Sequence, residues 1–359
     1  MAVAGANGKT TTKELLASVL GRLGPVTASP ASFNNELGVP LTLLRIGRQD
    51  RAAVVEVGTN HPGELARLLG WVRPDHGVFT GVGREHLEFF GDLAGVAREE
   101  GTLAEVLPAG GVLVLNGDDP WAGEVACAGA GAGDPGGFRC GQRVAGLTEV
   151  RLDWSGTSFR VETSEPAWCG RYRIRLLGRH QARNAVLALA LGLGAGGGAR
   201  QVAAEGLASC GPAPHRMEAF RGARGAGAGR CVQCESGFDA RGVGDVLCVA
   251  VRGPAGGGSR GDGRAGGGER EGRMRRWAGW RRSWVWTSCL RWGRGAGVMA
   301  AAARGAGLTR VLEFGGVEPV WGALRQFLRP GDALLLKASR RAGLERVAEF
   351  CRGDDGHRA

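Results

Sequence analysis

The run Gly5-Ala6-Asn7-Gly8-Lys9-Thr10 follows three small apolar residues and precedes an apolar-periodic stretch at 12–23. A strand, then glycines, then a helix start is a restrictive order. It lets successive backbone N–H groups and the helix N-terminus surround an anion. Gly5 and Gly8 permit the close backbone approach that such a loop needs. Lys9 offers a charge for outer phosphates, and the Thr10 hydroxyl suits Mg²⁺. The gap from Gly5 to Gly8 is shorter than in the pattern G-x-x-x-x-G-K-[ST] unless Val3 or Ala4 stands in for its first glycine. A plain glycine turn before a helix is the competing explanation. The Lys-Thr pair behind a strand favours nucleotide binding, with Gly5, Asn7, Gly8, Lys9, Thr10 and Thr11 as the candidate phosphate set.

Residues 1–125 alternate short apolar runs (52–57, 112–115) with helical stretches (12–23, 92–107), the pattern of a parallel sheet covered by helices. Residues 126–177 change to glycine-rich turns and alternating segments at 159–163 and 172–176, which read as a small antiparallel insertion. An Ala/Leu-rich helix at 180–195 returns to the first domain, and the break at 210–214 leads into a last one. There 308–314 and 333–337 read as strands and 344–351 as the final helix. The expected fold class is α/β: a phosphate-loop parallel-sheet ATPase domain over 1–212 with a small β insertion, then a Rossmann-like domain over 213–359.

The window 225–298 fits no period. Within 251–300 half the positions are Gly or Arg, and five of the chain's ten Trp fall between Trp277 and Trp292. The formal charge of +11 would point to nucleic acid, but 11 Arg against Asp262, Glu269 and Glu271 put +8 of it in that one window. Only Lys9, Lys13 and Lys337 are lysines, an arginine bias that a GC-rich coding sequence explains as readily as a function. Cys231 and Cys234 have no second pair or His pair at zinc spacing. No apolar run reaches membrane-spanning length and no charged-then-apolar leader opens the chain, so a cytoplasmic protein without membrane insertion is expected.

The string from Gly5 to Lys13, GANGKTTTK, resembles the nucleotide loop of the Mur ligase family. The likeness continues in order through Phe33–Leu44 (FNNELGVPLTLL), Glu56–Glu64 (EVGTNHPGE), His86-Leu87-Glu88 with Phe90-Gly91, Gly178-Arg179-His180 with Asn184-Ala185, and Lys337-Ala338-Ser339-Arg340. Among the family's branches the one that adds D-Ala-D-Ala to UDP-N-acetylmuramoyl-tripeptide matches best, because the DNP-R motif of the diaminopimelate- or lysine-adding relatives is absent.

The resemblance implies an ATP- and Mg²⁺-dependent ligase of peptidoglycan synthesis that joins a carboxylate to an amine through an acyl phosphate and works as a monomer. Lys9 would contact the β- and γ-phosphates. Thr10, Glu56 and His86 would serve Mg²⁺, Asn184 and Arg216 would lie near the nucleoside, and Lys337 and Arg340 would face the acyl phosphate or the amine. Taken alone, Glu56 is a solvated strand-end carboxylate, His86 a loop cap, and Lys337 to Arg340 a charged surface turn.

Three departures from the family stand out. The chain opens at the nucleotide loop, where relatives carry a preceding UDP-sugar domain. Glu100 occupies the place of a lysine that relatives often carbamylate, so it is a candidate catalytic carboxylate on a shorter arm. The family's D-[DSA]-YNANP segment is missing, yet 230–243 back-translated and read one base later admits DAYNANPGSMRAAL. That predicts a frameshift within 221–229, restored near 297–301, and a last domain whose residues 225–298 are disordered. The rival readings are an inactive nucleotide-binding remnant, a folylpolyglutamate- or cyanophycin-type ligase, and an Arg/Gly-rich nucleic-acid binder resting on 251–300 alone.

Overall fold

Five short runs of small and β-branched residues form one sheet: β1 (Ala2–Ala4), β2 (Val26–Ala28), β3 (Ala52–Glu56), β4 (His76–Phe79) and β5 (Val112–Leu115). In the computed structural model they lie in the order β2-β3-β1-β4-β5 with every pairing parallel. The structure describes residues 1–129, 146–194, 198–213, 216–221, 230–235, 247–251, 286–292, 301, 304–305, 311–314, 317–327, 333–338 and 344–352. Met1–Ala213 and Pro214–Ala359 form two units.

Parallel strands need crossover connections, so helices cover both faces of the first unit's sheet. These are α1 (Lys9–Leu20), α2 (Gly38–Leu43), α3 (Glu64–Val72), α4 (Leu87–Phe90), α5 (Leu93–Glu105), α6 (Ala122–Ala128), α7 (Arg179–Gly194) and α8 (Arg200–Ser209). Successive strand residues point to opposite faces. Val3, Val54 and Val78 meet Leu15, Leu16 and Val19 of α1 and the apolar sides of α7 and α8. Ala2, Ala4, Val55 and Phe79 meet Leu65, Leu68 and Leu69 of α3 and Leu103 of α5. The chain leaves β1 for β2 and β3 on one side and then crosses to β4 on the other, so the strand C-termini open at β1, β3 and β4. Such a switch point is where open parallel sheets hold ligands.

Local chemistry sets the helix starts. The Asp92 carboxylate accepts the Gly95 N–H at 2.8 Å and caps α5. α1 begins at Lys9, three residues before the periodic stretch expected at 12–23, because Gly8 at φ 91° turns the loop straight into the helix. The antiparallel insertion consists of β6 (Leu147–Asp153), β7 (Gly156–Val161) and β8 (Gly170–Ile174). Its Phe159, Val161, Tyr172 and Ile174 join the core formed by α1, α7 and α8. The expected start at 126 shifts later, since 126–128 close α6, and 130–145 lie outside the described residues.

In the second unit the described strands are β9 (Arg216–Arg221), β10 (Arg230–Glu235), β11 (Leu247–Val251), β12 (Trp286–Trp292), β13 (Val311–Phe314) and β14 (Ala333–Ala338), ordered β13-β12-β11-β14-β10-β9. The sheet is mixed: β10–β14 and β12–β13 are parallel, and β11 runs antiparallel to both its neighbours. β10, β11 and β12 fall inside the window 225–298 that no strand template fitted. Main-chain ladders form without side-chain alternation, which β10 and β12 lack, while β11 is a short apolar run that the surrounding Gly/Arg-rich sequence obscured. The rest of that window, and with it the expected disorder, lies outside the described residues. Helices α9 (Val317–Phe327) and α10 (Leu344–Arg352) stack Trp321 on Phe350, with ring centres 5.5 Å apart. Val320, Leu324, Val347, Ala348 and Cys351 are buried.

Candidate nucleotide and metal site

The loop 5–10 joins the C-terminal end of β1 to α1 and is clamped from two sides. The Ala6 N–H donates to the Gly81 carbonyl at 2.8 Å, tying the loop to the segment after β4. Gly5 has φ 112°, and a Cβ there would stand 2.9 Å from the Gly81 nitrogen. A Cβ on Gly8 would stand 2.6 Å from Asn184 Oδ1 on α7. Both glycines are therefore needed for conformation and for space. The segment after β4 is held in turn: Asn116 donates to the Thr80 carbonyl at 3.1 Å, and Asp119 accepts the Val82 N–H at 3.0 Å.

Lys9 Nζ donates to the Gly5 carbonyl at 2.5 Å and the Ala6 carbonyl at 3.3 Å, and sits 3.9 Å from Glu85 Oε2. The lysine thus lies over the mouth of the loop among oxygen acceptors. Two carboxyls share its surroundings. Burial pushes Glu85 up to about 6, against the pull of Lys9. Burial pushes Glu100 up to about 7, while Lys9 and the Gly5 N–H favour its ionised form and Glu85 opposes it. Glu100 Oε2 is buried without a hydrogen-bond partner. Its neighbour Glu99 faces another way and accepts the Gly63 and Leu65 N–H groups at the start of α3.

The second focus is Glu56, at the end of β3 and 1% exposed. Its Oε1 accepts Thr10 Oγ1 at 3.1 Å and Asn34 Nδ2 at 2.9 Å, and its own N–H donates to Ser29 Oγ at 2.9 Å. Glu56 Oε2 is buried and unpartnered. A carboxylate oxygen left bare beside a threonine hydroxyl at a phosphate loop is the donor set a hard divalent cation takes, with phosphate oxygens and water completing its shell. Among the described residues no group of three or more His, Cys, Asp or Glu could hold a metal by themselves.

Several sequence-selected residues therefore converge. Gly5, Asn7 and Gly8 form the loop and Lys9, Thr10 and Thr11 the first turn of α1, Thr10 touches Glu56, Glu100 shares the surroundings of Lys9, and Asn184 abuts Gly8. His86 stands at the residue before α4 in the left-handed conformation at φ 50°, without a side-chain capping hydrogen bond, next in sequence to Glu85. Arg216 on β9 and Lys337 on β14 belong to the second unit, and Arg340 lies outside the described residues. Sequence reasoning assigned no role to Ser29, Asn34, Glu85, Asn116 or Asp119. Asn34 and Glu85 had a signal, standing within or beside the family-like segments, whereas Ser29 had none.

An all-parallel sheet with a glycine loop and a Lys-Thr pair after its central strand defines the phosphate-loop class. The chain belongs to the Mur ligase family, whose middle-domain profile matches residues 3–192. It is 33% identical over 230 residues to UDP-N-acetylmuramoyl-tripeptide--D-alanyl-D-alanine ligase of Mycobacterium tuberculosis, covering 60% of this chain and 42% of that one. The chain thus spans less than half the length of that curated relative. Its fold is similar to MurF from Acinetobacter baumannii, with TM-score 0.73 at 23% identity over 98% of this chain and 76% of the other. It is also similar to a MurF ligase from Thermotoga maritima in complex with ADP, with TM-score 0.67 at 18% identity, 98% and 79% covered. No helix among the described residues is long and apolar enough to cross a membrane.

Proposed function

We propose that this chain binds ATP with Mg²⁺ at the loop after β1. We further propose that it contributes the nucleotide-handling part of a ligase joining D-Ala-D-Ala to UDP-N-acetylmuramoyl-tripeptide. The observation that carries this is the joined set of loop and carboxylate: Gly5 and Gly8 packed against Gly81 and Asn184, with Thr10 on Glu56. The curated relatives of that name support the substrate pair, and the 190-residue family match supports the reaction class.

In this reading the loop N–H groups and Lys9 hold the outer phosphates. Thr10 and Glu56 would hold Mg²⁺, with His86 on the neighbouring loop as a further ligand, and the chemistry the ion would supply is neutralisation of charge on the phosphates. Glu100 sets the charge beside Lys9. Asn184 lies where Gly8 meets α7 and marks the nucleoside side, and Arg216, in the second unit, keeps only the nucleoside role that the family resemblance implies. Lys337 and Arg340 keep only the role that the family resemblance implies, toward the reacting carboxyl or the amine.

The test is calorimetric titration with ADP with and without Mg²⁺, followed by assay for amide product from UDP-N-acetylmuramoyl-tripeptide, D-Ala-D-Ala and ATP. No ADP binding would refute the nucleotide assignment. ADP binding without product would leave the second reading, a nucleotide-binding remnant, which the arginine-glycine composition of 251–300 favours.

A further inference from the structure

Lys13 is a buried charge that the proposed chemistry does not use. It projects from the first turns of α1, its side chain is fully buried, and the ammonium has three donors to satisfy. Three acceptors meet it: the Ser29 carbonyl at 2.5 Å, the Ala31 carbonyl at 2.7 Å and Glu14 Oε1 at 2.7 Å. A buried charge is tolerated only when paired and hydrogen-bonded, so this arrangement is specific. Its two carbonyl partners lie in the loop between β2 and α2, where Ala31 is held in the left-handed conformation at φ 46°.

That loop is the frame of Glu56. Ser29 Oγ accepts the Glu56 N–H at 2.9 Å and is approached by Thr42 Oγ1 at 3.4 Å. Three residues past Ala31, Asn34 donates to Glu56 Oε1, and its carbonyl accepts the Gly58 N–H at 2.9 Å, just past β3. Thr10, one turn before Lys13 on the same helix, donates to that same Oε1 at 3.1 Å. A single helix therefore touches the carboxylate directly through Thr10 and indirectly through Lys13, Ser29 and Asn34. Oε2, the carboxylate oxygen of Glu56 without a partner, is left for a cation.

We propose that Lys13 is a positioning residue. By pinning the β2–α2 loop it fixes the rotamer of Glu56, so that Oε2 is presented to the divalent cation accompanying the nucleotide. The inference rests on the nucleotide-binding assignment above, and the two fail separately. Partners one step behind a metal ligand typically change metal affinity by about 10–100-fold when removed. The phosphate loop is tied to the Gly81 carbonyl through the Ala6 N–H and abuts Asn184 at Gly8, contacts in which Lys13 takes no part.

The experiment compares the full chain with Lys13→Met and with the milder Ser29→Ala, titrating ADP in EDTA and then in saturating Mg²⁺. The expected result is a Mg²⁺-free ADP affinity within about twofold of the parent, with the Mg²⁺-dependent gain reduced about tenfold in each variant. The double variant should lose little more than either alone, because both break one chain of contacts. Equal loss with and without Mg²⁺, an unchanged Mg²⁺ gain, or full additivity would overturn the proposal. If Lys13→Met does not fold, Ser29→Ala decides by the same criterion. If the parent chain does not bind ADP at all, the nucleotide assignment falls and takes this inference with it.

Discussion

Glu100→Gln separates a carboxyl held neutral by burial from one held charged by its cationic neighbour. The folded-state value is raised from the ordinary 4.5 to about 7, with burial the largest cause. Folding therefore favours the protonated form. The group's relative stability is full below about 4.5 and is lost as pH rises through about 7. At about 1.4 kcal/mol per pKa unit, the loss approaches ~3 kcal/mol above pH 8. Glutamine has the shape of the protonated acid and cannot ionise. It can still accept from the Gly5 N–H. The variant should match the parent at pH 5 and exceed its stability at pH 8 by a few kcal/mol, with ~3 as the ceiling. Urea unfolding of both proteins at pH 5, 6, 7 and 8 gives the difference directly. Hydrogen exchange over α5 identifies which transition belongs to the first unit. Parallel stability curves from pH 5 to 8 would refute the argument, showing that Lys9 and the Gly5 N–H fully offset burial. A curve rising with pH in the parent alone would reverse it.

Gly8→Ala should weaken ADP binding and cost about 1–2 kcal/mol in strain, since φ is 91° and Asn184 Oδ1 fills the space. Adding Asn184→Ala should recover the steric share only, as read by thermal melts. Thr10→Val should reduce the Mg²⁺-dependent part of ADP affinity about tenfold while sparing the fold, measured by the same titrations. Asp92→Ala removes the cap of α5 and should destabilise the first unit by about 1 kcal/mol in urea, with nucleotide affinity unchanged. Sequencing the coding strand across residues 221–301 should reveal DAYNANP one base out of frame, and a strand without it would dismiss the frameshift.

Much of the site was legible because its parts are contiguous. Gly5 through Thr11 form one contiguous string whose residue types together suggest phosphate binding, Glu56 closes the apolar run of β3, and His86 lies in the segment after β4. Asn184 was harder to read, since an amide inside an Ala-rich helix carries no local sign of what it faces. The fold of the first unit followed from alternating strand and helix periods. β10 to β12 did not, because they lie in a window dominated by Gly and Arg, where β10 and β12 show no side-chain alternation.

The sequence by itself determined the α/β class and the family, both of which depend on short-range order and residue type. Only the tertiary structure decided which charges meet. It set Glu99 on the start of α3 and the adjacent Glu100 beside Lys9, a choice made by the rotation of one helix residue. It also buried Lys13 against the Ser29 and Ala31 carbonyls, 16 and 18 residues away, and through them tied α1 to Glu56. Desolvation and hydrogen-bond satisfaction depend on such distant neighbours, and no window of sequence contains them.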